Sequence, residues 1–118
     1  MIKILERSSG NVIGYQAIGK ITEEDMQSII KYTDDVIAKH GKISWLYIMA
    51  DFKGGTLRAM YEDIVWLFKN LKHFDRMAVV GNKKWHELMI KADGLVFGEK
   101  YFDISQLEEA WKYVEGKD

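Results

Sequence analysis

The chain has 118 residues, 17 of them basic and 18 acidic, for a formal net charge of -1, and it contains no cysteine. That length suits one domain, and so even a charge balance supplies no long-range field for nucleic acid or an anionic bilayer. Without cysteine there is no disulfide framework, thiolate zinc site or thiol nucleophile. No apolar run approaches the roughly 20 residues that span a bilayer. The first residues, Met1 to Arg7, alternate like a strand and lack the apolar core of a signal peptide, so a cytoplasmic protein is expected.

Proline is absent, so glycines and charged turns punctuate the chain. Ile2-Lys3-Ile4-Leu5 alternates as a first strand, Ser8 to Asn11 forms a turn, and Val12 to Gly19 forms a second strand antiparallel to the first. Thr22-Glu23-Glu24-Asp25 opens a helix with a hydroxyl cap and acids at its positive end. Met26, Ile29, Ile30, Thr33, Ile37 and His40 give that helix one buried face, and Gly41 suits its left-handed end. Ile43 to Ala50 is almost continuously apolar, as in a central strand covered on both faces. The segment Asp51-Phe52-Lys53-Gly54-Gly55-Thr56 follows as a loop, then a helix from Leu57 to about Leu71. Met77 to Val80 is a buried strand closed by Gly81-Asn82. Trp85, Leu88, Met89 and Ala92 stripe a third helix between Asn82 and Gly94. Lys100 to Phe102 is a short last strand, and Ser105-Gln106-Leu107-Glu108 reads as a capping box. It starts a helix with Leu107, Ala110, Trp111 and Val114 turned inward. The order β-β-α-β-α-β-α-β-α predicts a single α/β domain over residues 1–118, with a mainly parallel sheet and an antiparallel N-terminal edge strand.

That order at this length resembles the SpoIIAA-like branch of the STAS (anti-sigma-factor-antagonist) group, which is similar in fold to the lipid-binding half of CRAL-TRIO (Sec14-type) proteins. The residues carrying the resemblance are Val12 to Thr22 with Asp25, Leu46-Tyr47, Asp51 to Gly54, Phe74 to Val80, Lys84-Trp85 and Phe97-Gly98-Glu99. The resemblance implies a regulatory domain that acts through protein partners. STAS regulators also carry a phosphorylatable Ser or Thr beside an Asp, just after the third strand. Asp51 takes that Asp's place here, but Phe52 and Lys53 stand where serines would follow. Thr56 is the only hydroxyl left in the segment.

Open α/β sheets hold ligands at the carboxyl ends of their strands, which makes Asp51, Phe52, Gly54, Gly55 and Thr56 candidate contact residues. The two glycines admit a close partner, and a helix start attracts anions through its free amides. The alternative is a Gly-Gly turn followed by Thr56 as a plain helix cap. No Gly-Lys-Thr/Ser follows, so the segment is not a P-loop. At about 100° per residue, Leu57, Met60, Tyr61, Ile64, Val65, Leu67, Phe68 and Leu71 form one broad apolar arc, expected to face the sheet. Trp66 then falls outward among Arg58, Glu62, Asp63, Lys69 and Asn70. An outward Trp marks a contact surface, with a homodimer the simplest assembly, unless it lies flat over neighbouring stems. With Trp45, Tyr47, Met49 and Phe52, the arc can also wall a pocket for an apolar or lipid-like ligand, Ile64 and Phe68 among its walls.

His86-Glu87 starts like a zincin motif, but Ile90 holds the place of the second His, so no metal is expected. Asp51 is the sole acid at a candidate site, with no nucleophile or second carboxylate beside it, so no catalytic residue or cofactor is expected. The residues therefore point to a non-enzymatic regulatory or protein-interaction module. It would work through Asp51–Thr56 and Trp66 on the following helix, bound to a protein partner or to itself. Binding of a small apolar ligand is the alternative; no nucleic-acid partner and no membrane span are expected.

Overall fold

The structure is a computed structural model, and it describes residues 1–82 and 99–117. Strand β1 (Ile2–Ile4) runs antiparallel to β2 (Val12–Ile21), with Ile2 opposite Ala17. Strands β3 (Ile43–Gly55), β4 (Phe74–Gly81) and β5 (Lys100–Asp103) then add in parallel, so the sheet reads β1-β2-β3-β4-β5. Helices α1 (Glu23–His40) and α2 (Leu57–Asn70) make the crossovers between β2, β3 and β4. Helix α3 (Leu107–Val114) closes the described chain. The expected fold class is the one observed, a single α/β domain whose one antiparallel strand lies at the N-terminal edge. The helix expected between Asn82 and Gly94 lies outside the described residues, as do Lys84, Trp85 and His86.

Strands buried on both faces need cover on both, and the core divides accordingly. Ile13, Tyr15, Trp45 and Met77 meet Ile29 of α1 and Trp66 and Leu67 of α2 on one face. Leu46, Ile48, Ala78, Val80 and Phe102 meet Ala110, Trp111 and Val114 of α3 on the other. Alternation along β3 makes the division: Trp45 and Tyr47 point one way, Leu46 and Ile48 the other.

The start of α1 behaves as its residues predict. The Thr22 hydroxyl accepts from the Asp25 amide at 3.2 Å, and the Asp25 carboxylate accepts from the Thr22 amide at 2.9 Å. Thr33 is wholly buried at mid-helix, yet satisfied: its hydroxyl donates to the Ile29 carbonyl at 2.7 Å and bonds the Tyr15 hydroxyl. Ser105 is not the cap of the last helical segment. Asp103 takes that role, its carboxylate accepting from the Ser105 amide at 3.0 Å, and a 3-10 turn over Ile104–Gln106 leads into α3. On the α3 face, a Cβ on Gly14 would lie 2.8 Å from Cζ2 of Trp111, so only glycine admits this ring. Arg7 lies 5.1 Å over the same ring, pairs with Glu115 at 2.9 Å and also pairs with Glu108.

Candidate functional site

The segment expected as a loop is strand. β3 continues to Gly55, and its pairing with β2 takes up one extra residue twice: Gln16 and Ile18 face Ile48 and Asp51, then Gly19 and Ile21 face Phe52 and Gly55. Such bulges bend and re-aim a strand while keeping it in the sheet. Gly54 has φ 99°, a left-handed conformation that glycine adopts without strain. A side chain at Gly55 would stand 3.0 Å from the Ile21 carbonyl oxygen and 3.3 Å from Sδ of Met60. Its smallness therefore serves the packing of α2 on the sheet. Asp51 is exposed and accepts from the Gln16 amide at 3.2 Å. Thr56 caps α2, its hydroxyl accepting from the Ala59 amide at 3.1 Å.

α2 sits the other way round from its helical wheel. Trp66 is only 8 % exposed, so the expectation that it faces outward is corrected. It stacks on Trp45 with ring centroids 5.9 Å apart and meets Phe74 edge-on at 5.7 Å. Its indole N–H donates to Asp34 of α1 at 2.8 Å. The physical reason is that α2 is apolar around most of its circumference, so periodicity cannot choose the buried side. The large flat ring fits the aromatic cavity, and Asp34 satisfies its one polar atom. The outward face instead presents Leu57 at 91 %, Tyr61 at 68 % and Phe68 at 63 % exposure, with Met60, Ile64 and Leu71 also exposed.

Beneath α2 lies a cavity of about 200 Å³, walled by the sheet residues Ala17, Trp45, Tyr47, Met49 and Phe52 and by Met60, Asp63 and Leu67 of the helix. Met26 of α1, Met77 of β4 and Glu99 complete much of the wall. Burial pushes the carboxyl of Asp63 up to about 6. Burial also raises the Tyr47 phenol well above its ordinary value, and the nearby Asp63 charge adds to that. The Asp63 carboxylate and the Tyr47 hydroxyl belong to the cavity wall and make no hydrogen bond with a described residue; since no buried side-chain polar atom among the described residues lacks a partner, both keep some access to solvent.

The fold and the sequence agree on a relationship. A SpoIIAA-like family profile matches residues 12–115. The chain belongs to the SpoIIAA-like family. Its structure is similar to that of an uncharacterised Shewanella loihica PV-4 protein with a SpoIIAA-like fold, at TM-score 0.76 and 22% identity over 96% of this chain and 93% of that one. It is also similar to the unphosphorylated form of the anti-sigma factor antagonist SpoIIAA, at TM-score 0.64 and 12% identity over 98% and 99% of the two chains. Likeness at such identities establishes the fold. Among curated proteins, none matches the sequence significantly.

In this SpoIIAA-like chain the residues singled out from sequence separate into two places. Asp51, Gly54 and Gly55 lie on the bulged end of β3 and Thr56 caps α2, while Trp66 is packed between α2 and the sheet. Phe52 lines the cavity with Trp45, Tyr47 and Met49, whereas Ile64 and Phe68, expected as walls, face out. Met60 and Leu67 of the expected arc do line the cavity, whereas Asp63 and Met77 were not singled out as wall residues, and only the reversed face of α2 brings Asp63 there. Among the described residues no helix is long and apolar enough to cross a membrane, and no cluster of three acids or histidines could hold a metal.

Proposed function

We propose that the chain is a non-enzymatic regulatory module that acts by protein interaction, docking through the outward face of α2 with a second copy of itself as partner. The supporting observation is the apolar stripe Leu57, Met60, Tyr61, Ile64 and Phe68 on α2, continued by Leu71 at the start of the following 3-10 turn, all exposed. The stripe is close to symmetric about Ile64: Leu57 and Leu71 stand seven residues to either side, Met60 and Phe68 four. Two such helices crossed antiparallel at Ile64 set leucine over leucine and methionine over phenylalanine, the self-complementarity a two-fold interface needs. A helix of 14 residues is about 21 Å long, enough for the centre of a modest interface. The Asp51–Thr56 segment forms its rim, since Thr56 caps the same helix. The similarity to an anti-sigma factor antagonist supports a role in protein binding rather than catalysis.

Light scattering on the eluting protein tests this. A dimer is expected at tens of micromolar, and Tyr61→Glu or Ile64→Glu should yield a folded monomer. A wild-type monomer at every concentration, or a dimer indifferent to both charges, would overturn the reading. The hollow beneath α2 favours a second reading, the binding of a small ligand there, apart from or together with association.

A further inference from the structure

We propose that the cavity beneath α2 takes a small organic cation, an aryl- or branched alkylamine whose ammonium meets Asp63 and Tyr47 and whose apolar body lies against Trp45, Phe52 and the methionines. This rests on the ligand-binding reading and names its chemistry.

Charge selects the class. The described wall carries the acid Asp63 on α2 and no lysine, arginine or histidine. A fatty acid would bring its carboxylate against a like charge in a partly enclosed space, so the acyl ligand suggested by the apolar residues is disfavoured. An ammonium has the opposite sign and donates hydrogen bonds. The Asp63 carboxylate accepts them, and the Tyr47 hydroxyl offers a second oxygen, both standing in the wall of the cavity.

The remaining wall suits the same guest. Trp45, Tyr47 and Phe52 bring aromatic rings to the wall, a residue type whose faces attract cations. Met26, Met49, Met60 and Met77 supply flexible thioethers that adapt to an irregular body. Size narrows the choice further. An apolar cavity of about 150 Å³ holds benzene. The space of about 200 Å³ therefore matches one ring with a short arm.

The test uses the full chain and three probes of matched size: phenethylamine, 3-phenylpropionate and neutral 2-phenylethanol, followed by calorimetry and by shifts of the tryptophan side-chain amide signals. Phenethylamine should bind with a Kd of roughly 0.1–1 mM, at least tenfold tighter than 3-phenylpropionate. Asp63→Asn should remove that preference while 2-phenylethanol binds as before, and Tyr47→Phe should weaken the amine severalfold. Equal or tighter binding of the acid, or an unchanged amine affinity in a folded Asp63→Asn protein, overturns the cation and leaves the ligand cavity standing. Failure of all three probes to bind overturns both.

Discussion

Trp66 separates the two orientations of α2, because an outward tryptophan and a core tryptophan answer truncation differently. Trp66→Ala removes a ring that is 8 % exposed, stacked on Trp45 and edge-on to Phe74. Truncating a buried aromatic to alanine costs about 3–5 kcal/mol, the spread reflecting how far the hole collapses. The lost bond to Asp34 sits at the upper margin of that range, since the carboxylate is exposed and such a bond contributes only about 1 kcal/mol net. In a domain of this size each kcal/mol moves the Tm by about 4 °C, so a fall of roughly 12–20 °C is expected. Trp66→Phe keeps an aromatic ring against Trp45 but loses the N–H and part of the volume, and should cost about 1–2 kcal/mol. Urea unfolding followed by far-UV circular dichroism measures both, with Lys31→Ala, exposed on α1, as a surface control expected within about 0.5 kcal/mol. If Trp66→Ala shifted the midpoint no more than Lys31→Ala while abolishing self-association, Trp66 would face outward and the packing described for α2 would be wrong.

Asp63→Asn tests the buried carboxylate through pH. The folded protein holds this proton up to about 6 against an ordinary 3.8, so folding favours the protonated form and stability is lost as pH rises through that window. Above pH 6 the whole penalty applies, at most about 3 kcal/mol and nearer 1 once solvent reaching the half-buried group is allowed for. The asparagine variant should therefore be the more stable protein at pH 7.5 and match wild type near pH 4; parallel stability curves across that range would count against the placement. Gly14→Ala pushes a methyl into the Trp111 ring and should cost about 1–3 kcal/mol by overpacking, with Trp111 emission shifted, whereas an unchanged urea midpoint would mean that α3 does not seat there.

The parts that were legible are those where several local signals agree. The start of α1 combines a hydroxyl, an acid three residues on and an apolar period, and Thr22 and Asp25 form the reciprocal cap those signals require. The central strand and its apolar character were likewise readable from Ile43 to Ala50. Beyond Ala50 the residues Asp51, Lys53, Gly54 and Gly55 carry every mark of a loop. The strand continues because two bulges let polar and glycine residues stay paired with β2, a tertiary fact without a local signature. The orientation of α2 was illegible for another reason. Its wheel has apolar residues on nearly every side, and the choice falls to the partner surface, where Trp45 and Phe74 accept the Trp66 ring and Asp34 accepts its proton. Asp63 followed the helix inward; an isolated acid in a helix gives no sign of that.

The reversed helix also explains why the cavity exists. On this face the core forms two clusters, Trp45, Trp66, Leu67 and Met77 with their neighbours, and Ala17, Ile21, Met26 and Ala59. Ala59 lets the beginning of α2 approach the sheet, while the bulk of Trp66 fills the space near its end. Asp63, one turn from each, spans too little volume to close the gap and carries a charge into it. A hollow of about 200 Å³ leaves its lining without the contacts that a filled core would make. Asp63→Leu would remove the charge and fill part of the hole in one substitution. An acid set in the wall of an unfilled apolar space is a local departure from good core design, and such departures are characteristic of binding sites. On the proposed readings the two faces of α2 would divide the work, with Met60 at the edge between them: the outer stripe for association, and the inner face, where Asp63 sits, for a ligand.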